Sequence, residues 1–132
     1  MKTCVCVFAK PPRVGMVKTR LSERVGMEGA ARLAAAFLQD VWELVSALPE
    51  VTPVLATTAV ADRVDGLGEV RRWAQGEGDL GQKLERVLER ALIEHQRAIA
   101  IGADAPDLPP ELVMGAIKAL ATSDAVLAPA RD

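Results

Sequence analysis

Four cationic side chains lie within eleven residues near the start of the chain, at Lys10, Arg13, Lys18 and Arg20. They follow an apolar run, and Gly15 among them allows a ligand to approach the backbone closely. Arginine grips phosphate with two parallel hydrogen bonds, whereas lysine acts as a point charge. The spacing is not that of a Walker A loop. We therefore predict a binding site for a di- or triphosphate, with a solvated basic loop as the alternative.

An aspartate follows a second apolar run, in the segment AIAIGADAPDLPP. Asp104 offers hard oxygen ligands, and Mg²⁺ in proteins is held by one or two carboxylates together with substrate phosphates. We expect Asp104 to bind Mg²⁺ or Mn²⁺ and the cation to reach phosphates on the basic segment. A solvated turn residue is the alternative. Asp107 directly precedes a predicted helix, so helix capping is its preferred interpretation.

Residues 76–81 match the pattern G-x-G-x-x-G, which is typical of dinucleotide-binding folds. Two observations speak against that interpretation. Glu77 and Asp79 would place carboxylates beside a pyrophosphate, and the preceding segment EVRRWAQ is polar for a buried strand. We prefer a flexible turn whose helix is capped by Asp79 and Gln82 in a capping box. A surface near a nucleotide base or sugar is the next alternative, and a dinucleotide oxidoreductase is the least favoured.

The remaining side chains that could do chemistry have plainer interpretations. His95 is the only histidine and is badly placed for catalysis near a helix C-terminus, so nothing indicates a Ser-His-Asp or a Cys-His arrangement, and we expect a structural role. Cys4 and Cys6 would share one face of a strand without good geometry for a disulfide, so we predict buried free thiols and no zinc site. Phe37 and Trp42 are predicted core residues.

Apolar runs and helical periodicity predict strands that alternate with helices. The predicted strands are residues 3–8, 53–58, 69–73, 98–102 and 125–127. The predicted helices are residues 27–48, 79–96 and 110–122, with a short helix or turn at 60–64. This alternation indicates a parallel, doubly wound α/β sheet. Ligands of such sheets bind at the carboxyl ends of the strands, here in the loops after Phe8, Trp73 and Gly102.

Length and composition limit the remaining possibilities. With 132 residues, the chain fits a single domain over residues 1–132. Hydrophobic residues make up 50% and charged residues 26%, which argues against disorder. The net charge of −2 argues against binding nucleic acid through bulk charge, although residues 1–25 carry six cations and one glutamate. No apolar run suits a membrane span or a signal peptide, so we expect a cytoplasmic protein.

The segments FAKPPRVGMVKTRL, QGEGDLG, IGADAPDLP and VLAPARD follow one another along the chain. In this order they resemble a bacterial family of glycosyltransferase-like proteins within the nucleotide-diphospho-sugar transferase superfamily. The resemblance covers essentially the whole chain. It implies the GT-A fold, a Rossmann-like three-layer αβα domain with a mainly parallel sheet. More distant relatives are the molybdenum-cofactor and phospholactate guanylyltransferases.

The same resemblance implies roles for individual residues. Lys10, Lys18 and Arg20 match positions that face the nucleotide phosphates, and Asp104 matches an aspartate that binds a divalent metal. The positions expected near the nucleoside are Gln75, Gly78, Asp79 and Gly81. Because the family pattern continues past VLAPARD, we expect the chain to lack the C-terminal part of the domain. An incomplete sheet exposes an edge strand, so a homo-oligomer is a further expectation.

Our first functional hypothesis is an enzyme that binds a nucleotide or nucleotide-sugar with Mg²⁺ or Mn²⁺ and transfers a glycosyl group. The rival hypothesis is nucleotidyl transfer, in which an acceptor phosphate attacks the α-phosphate of a nucleoside triphosphate and pyrophosphate leaves. A non-catalytic nucleotide-binding module is the third. The sequence leaves open the base, the sugar, the acceptor and the catalytic residue.

Overall fold

A computed structural model describes residues 3–9, 19–58, 67, 70–103 and 110–120, with the backbone alone at residues 19–25 and 110. Strands and helices alternate through most of this part of the chain. The strands are β1 Thr3–Ala9, β2 Val51–Thr57, β3 Arg72–Ala74 and β4 Arg97–Gly102. The helices are α1 Thr19–Ser46, α2 Leu80–Glu94 and α3 Pro110–Leu120.

The four strands form one parallel sheet in the order β3-β2-β1-β4. Strand β1 therefore lies inside the sheet, and its first residue, Thr3, pairs with both Val51 and Arg97. A strand that is covered on both faces reads as a continuous apolar run, as β1 does. The predicted α/β class with a parallel sheet is confirmed.

Alternate residues of β1 contribute to two separate cores. On one face, Val5 and Val7 pack with Leu38, Val41 and Val45 of α1. These helical residues recur at steps of three and four, so they form one stripe. Trp42 is buried in the same core, as predicted, whereas Phe37 is only half-buried.

The opposite face of the sheet is covered by α2. Cys4 and Cys6 of β1 pack there with Trp73 of β3 and with Val87 and Ala91 of α2. Helices thus cover both faces of the sheet, which gives three layers. The cysteines are buried free thiols with their Sγ atoms 3.8 Å apart, as predicted.

Helix α1 is longer than the predicted helix over residues 27–48. It begins at Thr19 and contains a kink at Gly26, where φ is 78° and ψ is 166°. The amphipathic pattern begins only after this glycine, which explains why periodicity predicts the second part of the helix alone. A glycine tolerates such positive φ angles because it has no β-carbon.

Proline at position 53 lies within β2, where a missing backbone N–H could break the ladder. Leu55 donates its N–H to the carbonyl of Arg71 at 2.8 Å, on the β3 side. The backbone nitrogens of residues two apart in a strand point to the same side of the strand, so the nitrogen of Pro53 faces the β3 side as well. Strand β3 begins only at Arg72, and its pairing with β2 starts at Leu55. The proline therefore costs no hydrogen bond to β3.

The other predicted elements have mixed outcomes. Strand β3 is shorter and lies further along the chain than the predicted strand over residues 69–73, whereas α2, β4 and α3 lie within two residues of prediction. The helix or turn predicted at 60–64 and the strand predicted at 125–127 fall outside the described residues. None of the helices described is both long and apolar enough to span a membrane.

Candidate functional site

The strand order reverses between β1 and β4, because the chain leaves β1 toward β2 on one side and returns to β4 on the other. In doubly wound sheets a crevice opens at such a point, at the carboxyl ends of the strands. Here Ala103 donates its N–H to the carbonyl of Phe8 at 3.1 Å, which extends the pairing beyond β4. Ala9 precedes Lys10 in the chain, and Ala103 precedes Asp104. Both predicted ligand-binding segments thus follow the two strands that flank the reversal.

Most of the predicted phosphate and metal ligands lie outside the described residues: Lys10, Arg13, Gly15, Lys18 and Asp104, together with Asp107. Arg20 lies at the start of α1, where the backbone alone is described. Their roles therefore remain predictions. Among the residues that the structure does describe, no three histidine, cysteine or acidic side chains are grouped to hold a metal ion.

Gln75 connects three strands at the carboxyl edge. Its backbone N–H donates to the carbonyl of Thr57 at 2.9 Å, immediately after β3. Its side-chain Nε2 donates to the carbonyl of Ala9 at 3.2 Å and to that of Ala56 at 2.8 Å. The residue is only 6% exposed. The sequence predicts that Gln75 lies near a nucleoside, but it does not predict these contacts, because the partners are far apart in the chain.

Arg86, on the second turn of α2, holds the loop that follows β3. Its guanidinium donates to the carbonyls of Gln75 and Glu77, the latter at 2.9 Å. Gly76 lies between these two residues with a φ of 80°, in the left-handed region that glycine tolerates. Sequence reasoning missed Arg86, since a cation on an exposed helix face resembles any solvated residue. The loop is thereby anchored to the helix that follows it.

The predicted capping box at the start of α2 is confirmed. The Asp79 carboxylate accepts from the N–H of Gln82 at 2.8 Å, and the Gln82 side chain accepts from the N–H of Asp79 at 2.9 Å. Gly78 has a φ of 112°, and Gly81 lies in the first turn of the helix. A dinucleotide-binding loop offers its helix N-terminus to a pyrophosphate. Here a carboxylate holds that end, which supports the capped-turn interpretation.

Two further side chains of this half of the chain have structural roles. The guanidinium carbon of Arg90 lies 4.3 Å from the ring centroid of Trp73, as in a cation–π contact. His95 is buried at the C-terminal cap of α2, and its Nδ1 lies 3.0 Å from the carbonyl oxygen of Ala91. It precedes β4, at the amino end of the strands, so it is remote from the carboxyl edge. Its predicted structural role fits this position.

Comparisons with known proteins agree with the resemblance at a coarse level. Residues 32–132 match the model of a family described as "Uncharacterized protein conserved in bacteria (DUF2064)". A solved structure of a "putative nucleotide-diphospho-sugar transferase" from Desulfovibrio desulfuricans G20 is 32% identical and superposes with a TM-score of 0.82. The match covers 92% of this chain but only 56% of that protein. No curated protein matches the chain. These findings support the superfamily that the sequence motifs indicate.

Proposed function

We propose, from the premise that this chain belongs to the DUF2064 family of uncharacterized bacterial proteins, that it is part of a transferase that binds a nucleotide or a nucleotide-sugar. The observation that carries the proposal is the reversal of strand order between β1 and β4. The cationic segment follows one of these strands, and Asp104 follows the other. The solved relative, whose name is that of a nucleotide-diphospho-sugar transferase, supports the same ligand class.

In the proposed reaction, a glycosyl group passes from a nucleotide-sugar to an acceptor, and a nucleoside diphosphate leaves. Lys10, Lys18 and Arg20 bind the phosphate oxygens and stabilise the charge that develops on the leaving group. Arg13 adds a further cation and Gly15 a close backbone approach. These contributions are electrostatic. They depend on cations held at the carboxyl edge of the sheet and do not involve a general base.

A divalent cation fits this donor set. Mg²⁺ and Mn²⁺ prefer oxygen ligands, and Mg²⁺ commonly uses one or two carboxylates with substrate phosphates completing its shell. One carboxylate, that of Asp104, is therefore sufficient for a cation that arrives with the nucleotide. When bound, such a cation neutralises phosphate charge as a Lewis acid. Asp104 itself would hold the cation beside the phosphates that the basic segment binds.

The experiment is thermal unfolding against ATP, GTP, CTP, UTP, UDP-sugars and GDP-sugars, each with and without Mg²⁺ or Mn²⁺. A ligand at 100 times its Kd adds about 2.7 kcal/mol, which raises the midpoint of this domain by roughly 5–15 °C. We expect such a rise with one class of nucleotide, dependent on the metal. Lys18→Met and Asp104→Asn should abolish the metal-dependent rise, whereas the exposed controls Lys118→Met and Asp40→Asn should keep it.

The products then separate the two transfer reactions. Loss of the sugar from a nucleotide-sugar supports glycosyl transfer, and release of pyrophosphate from a triphosphate supports nucleotidyl transfer. A non-catalytic nucleotide-binding module predicts instead that nucleotide binding survives Asp104→Asn with little change and that the wild type turns over neither kind of donor. A cooperatively folded protein whose midpoint no nucleotide raises would overturn the proposal.

A further inference from the structure

One buried amide holds the carboxyl ends of two neighbouring strands. The Nε2 of Gln75 donates to the carbonyl of Ala9, the last residue of β1, at 3.2 Å, and to that of Ala56 in β2 at 2.8 Å. Both carbonyls belong to buried alanines. A glutamine amide carries two N–H donors, so both are used inside the protein. Neither N–H group of this amide is therefore free to donate to a ligand.

The backbone of Gln75 is held as firmly as its side chain. Its N–H donates to the carbonyl of Thr57, and its own carbonyl accepts from the guanidinium of Arg86. Arg86 also holds the carbonyl of Glu77, two residues further along the loop. Helix α2 thus fixes the loop, the loop fixes the amide, and the amide fixes the end of β1. The part of this network formed by Gln75, Ala9 and Ala56 is buried, and a buried network is rigid when its members are satisfied.

We infer that Gln75 is a positioning residue of the proposed nucleotide site, which acts through the carbonyl of Ala9, and that Arg86 holds it in place. The inference rests on the proposed function, because Ala9 is followed by Lys10, the first cation of the basic segment. It gives Gln75, which the resemblance places near the nucleoside, a role that needs no contact between its amide nitrogen and the ligand. A residue that acts in this way contributes equally to every phosphate ligand, whatever base the ligand carries.

The test compares ligands with and without a base. Dissociation constants are measured for Mg²⁺ complexes of inorganic pyrophosphate, ATP, GTP, CTP and UTP, at a temperature where circular dichroism shows each variant folded. We expect Gln75→Leu and Arg86→Met to weaken all ligands that bind the wild type by a similar factor, of about tenfold to a hundredfold. The matched controls are Gln96→Leu and Arg32→Met, both at exposed positions, and they should leave the constants unchanged.

A ligand-free measurement accompanies the binding series. The ¹³C chemical shift of the Ala9 carbonyl should change in Gln75→Leu and in Arg86→Met, but not in the two controls, because only the first pair disturbs its hydrogen bond. This signal is a property of one carbonyl, so a general loss of stability does not reproduce the pattern. If Gln75→Leu fails to fold, Arg86→Met provides the same comparison with the Gln75 side chain retained.

The outcomes are distinct. Weaker binding of one nucleotide with pyrophosphate unaffected would show that Gln75 recognises a base, which overturns the inference. Unchanged affinity for every ligand in both variants overturns it as well. If the wild type binds none of the ligands, the proposed function fails, and Gln75 has no nucleotide site to position. The Ala9 signal then decides only whether Gln75 and Arg86 hold the end of β1, which an unchanged shift in both variants rejects.

Discussion

The guanidinium of Arg86 fills the space beside Gly76 in which a β-carbon would lie. The same guanidinium binds the carbonyls of Gln75 and Glu77, which flank the glycine. Gly76 has a φ of 80°, so both its backbone conformation and its lack of a side chain are needed here. The turn after β3 is therefore held by a side chain of α2, and that side chain fits only because the turn has a glycine at position 76.

Replacement of Gly76 by alanine should destabilise the protein by about 1–3 kcal/mol, since the left-handed conformation and the contact with Arg86 are both unfavourable. The measurement is urea unfolding. In an Arg86→Met background the cost of Gly76→Ala should fall, leaving only the backbone part. An equal cost in the two backgrounds would show that the contact contributes nothing.

The opposite effect is expected at Gly115. This glycine lies within α3, and a β-carbon there meets no atom within 4 Å. Gly115→Ala should therefore stabilise the protein by about 0.5–1 kcal/mol, because glycine loses more backbone freedom than alanine when a helix forms. Urea unfolding serves again, and a loss of stability would contradict the open surroundings of this residue.

Loss of the Gln75 amide should have a large effect on stability. Gln75→Leu removes the side-chain donor from the buried carbonyls of Ala9 and Ala56, and an unsatisfied buried group costs about 1–3 kcal/mol. We expect a decrease of about 1–3 kcal/mol in the free energy of unfolding. The matched change Gln96→Leu at an exposed position should stay within about 0.5 kcal/mol. Similar effects of the two variants would show that the Gln75 hydrogen bonds are weak.

Asp79→Ala should cost about 0.5–2 kcal/mol, the usual loss when a helix loses its N-cap side chain. Asp79→Asn should cost less, because an amide oxygen still accepts from the N–H of Gln82. The control is Asp40→Ala, at an exposed position on α1. Unchanged stability in Asp79→Ala with weaker nucleotide binding would instead support the predicted position of Asp79 near the nucleoside.

The thiol pair makes stability depend on pH. The hydrogen bond with Cys4 and burial both raise the pKa of the Cys6 thiol above its usual value of 9.0. A thiol whose pKa is raised on folding stabilises the protein below the pKa of the unfolded chain, and this contribution is lost as pH rises above it. The free energy of unfolding should therefore fall from about pH 8.5 upward, by as much as about 1.4 kcal/mol per pH unit.

Urea unfolding in reducing buffer between pH 7 and 10 measures this loss. The double variant Cys4→Ala/Cys6→Ala should give a shallower decline than the wild type, although it is less stable at pH 7 because of the cavity. Both thiols are removed because the hydrogen bond with Cys6 lowers the pKa of Cys4, which burial alone would raise. The chain has no tyrosine, so no phenol titrates in this range. Identical slopes for wild type and variant would exclude the thiol as the cause.

The sequence predicts elements well where burial produces a pattern. The apolar run of β1 and the stripe of α2 are such patterns, and the capping box of α2 follows from local spacing. Strand β3 is predicted three residues too early, because its segment is short and polar on one side. The kink at Gly26 separates the patterned part of α1 from its start.

The candidate site is less accessible to such reasoning. Residue types and their position after strands suffice to predict Lys10 and Asp104 as ligands, and those roles stay predictions. The hydrogen bond from Gln75 to Ala9 joins residues 66 positions apart. No local pattern encodes a side chain that binds a distant carbonyl, since the carbonyl is present at every residue. Arg86 is missed for the same reason.

The position of β1 inside the sheet also affects how the chain can fold during its synthesis. Its partners are β2, which begins at Val51, and β4, which begins at Arg97. Ribosomes add about 5–20 residues per second, so the first strand emerges several seconds before its last partner. Throughout that interval, β1, a continuous apolar segment with strong β-propensity, lacks its partner strand β4. Of the four strands described, β1 at residues 3–9 therefore spends the longest time without a full set of partners, which makes it the strand most open to unwanted association during synthesis.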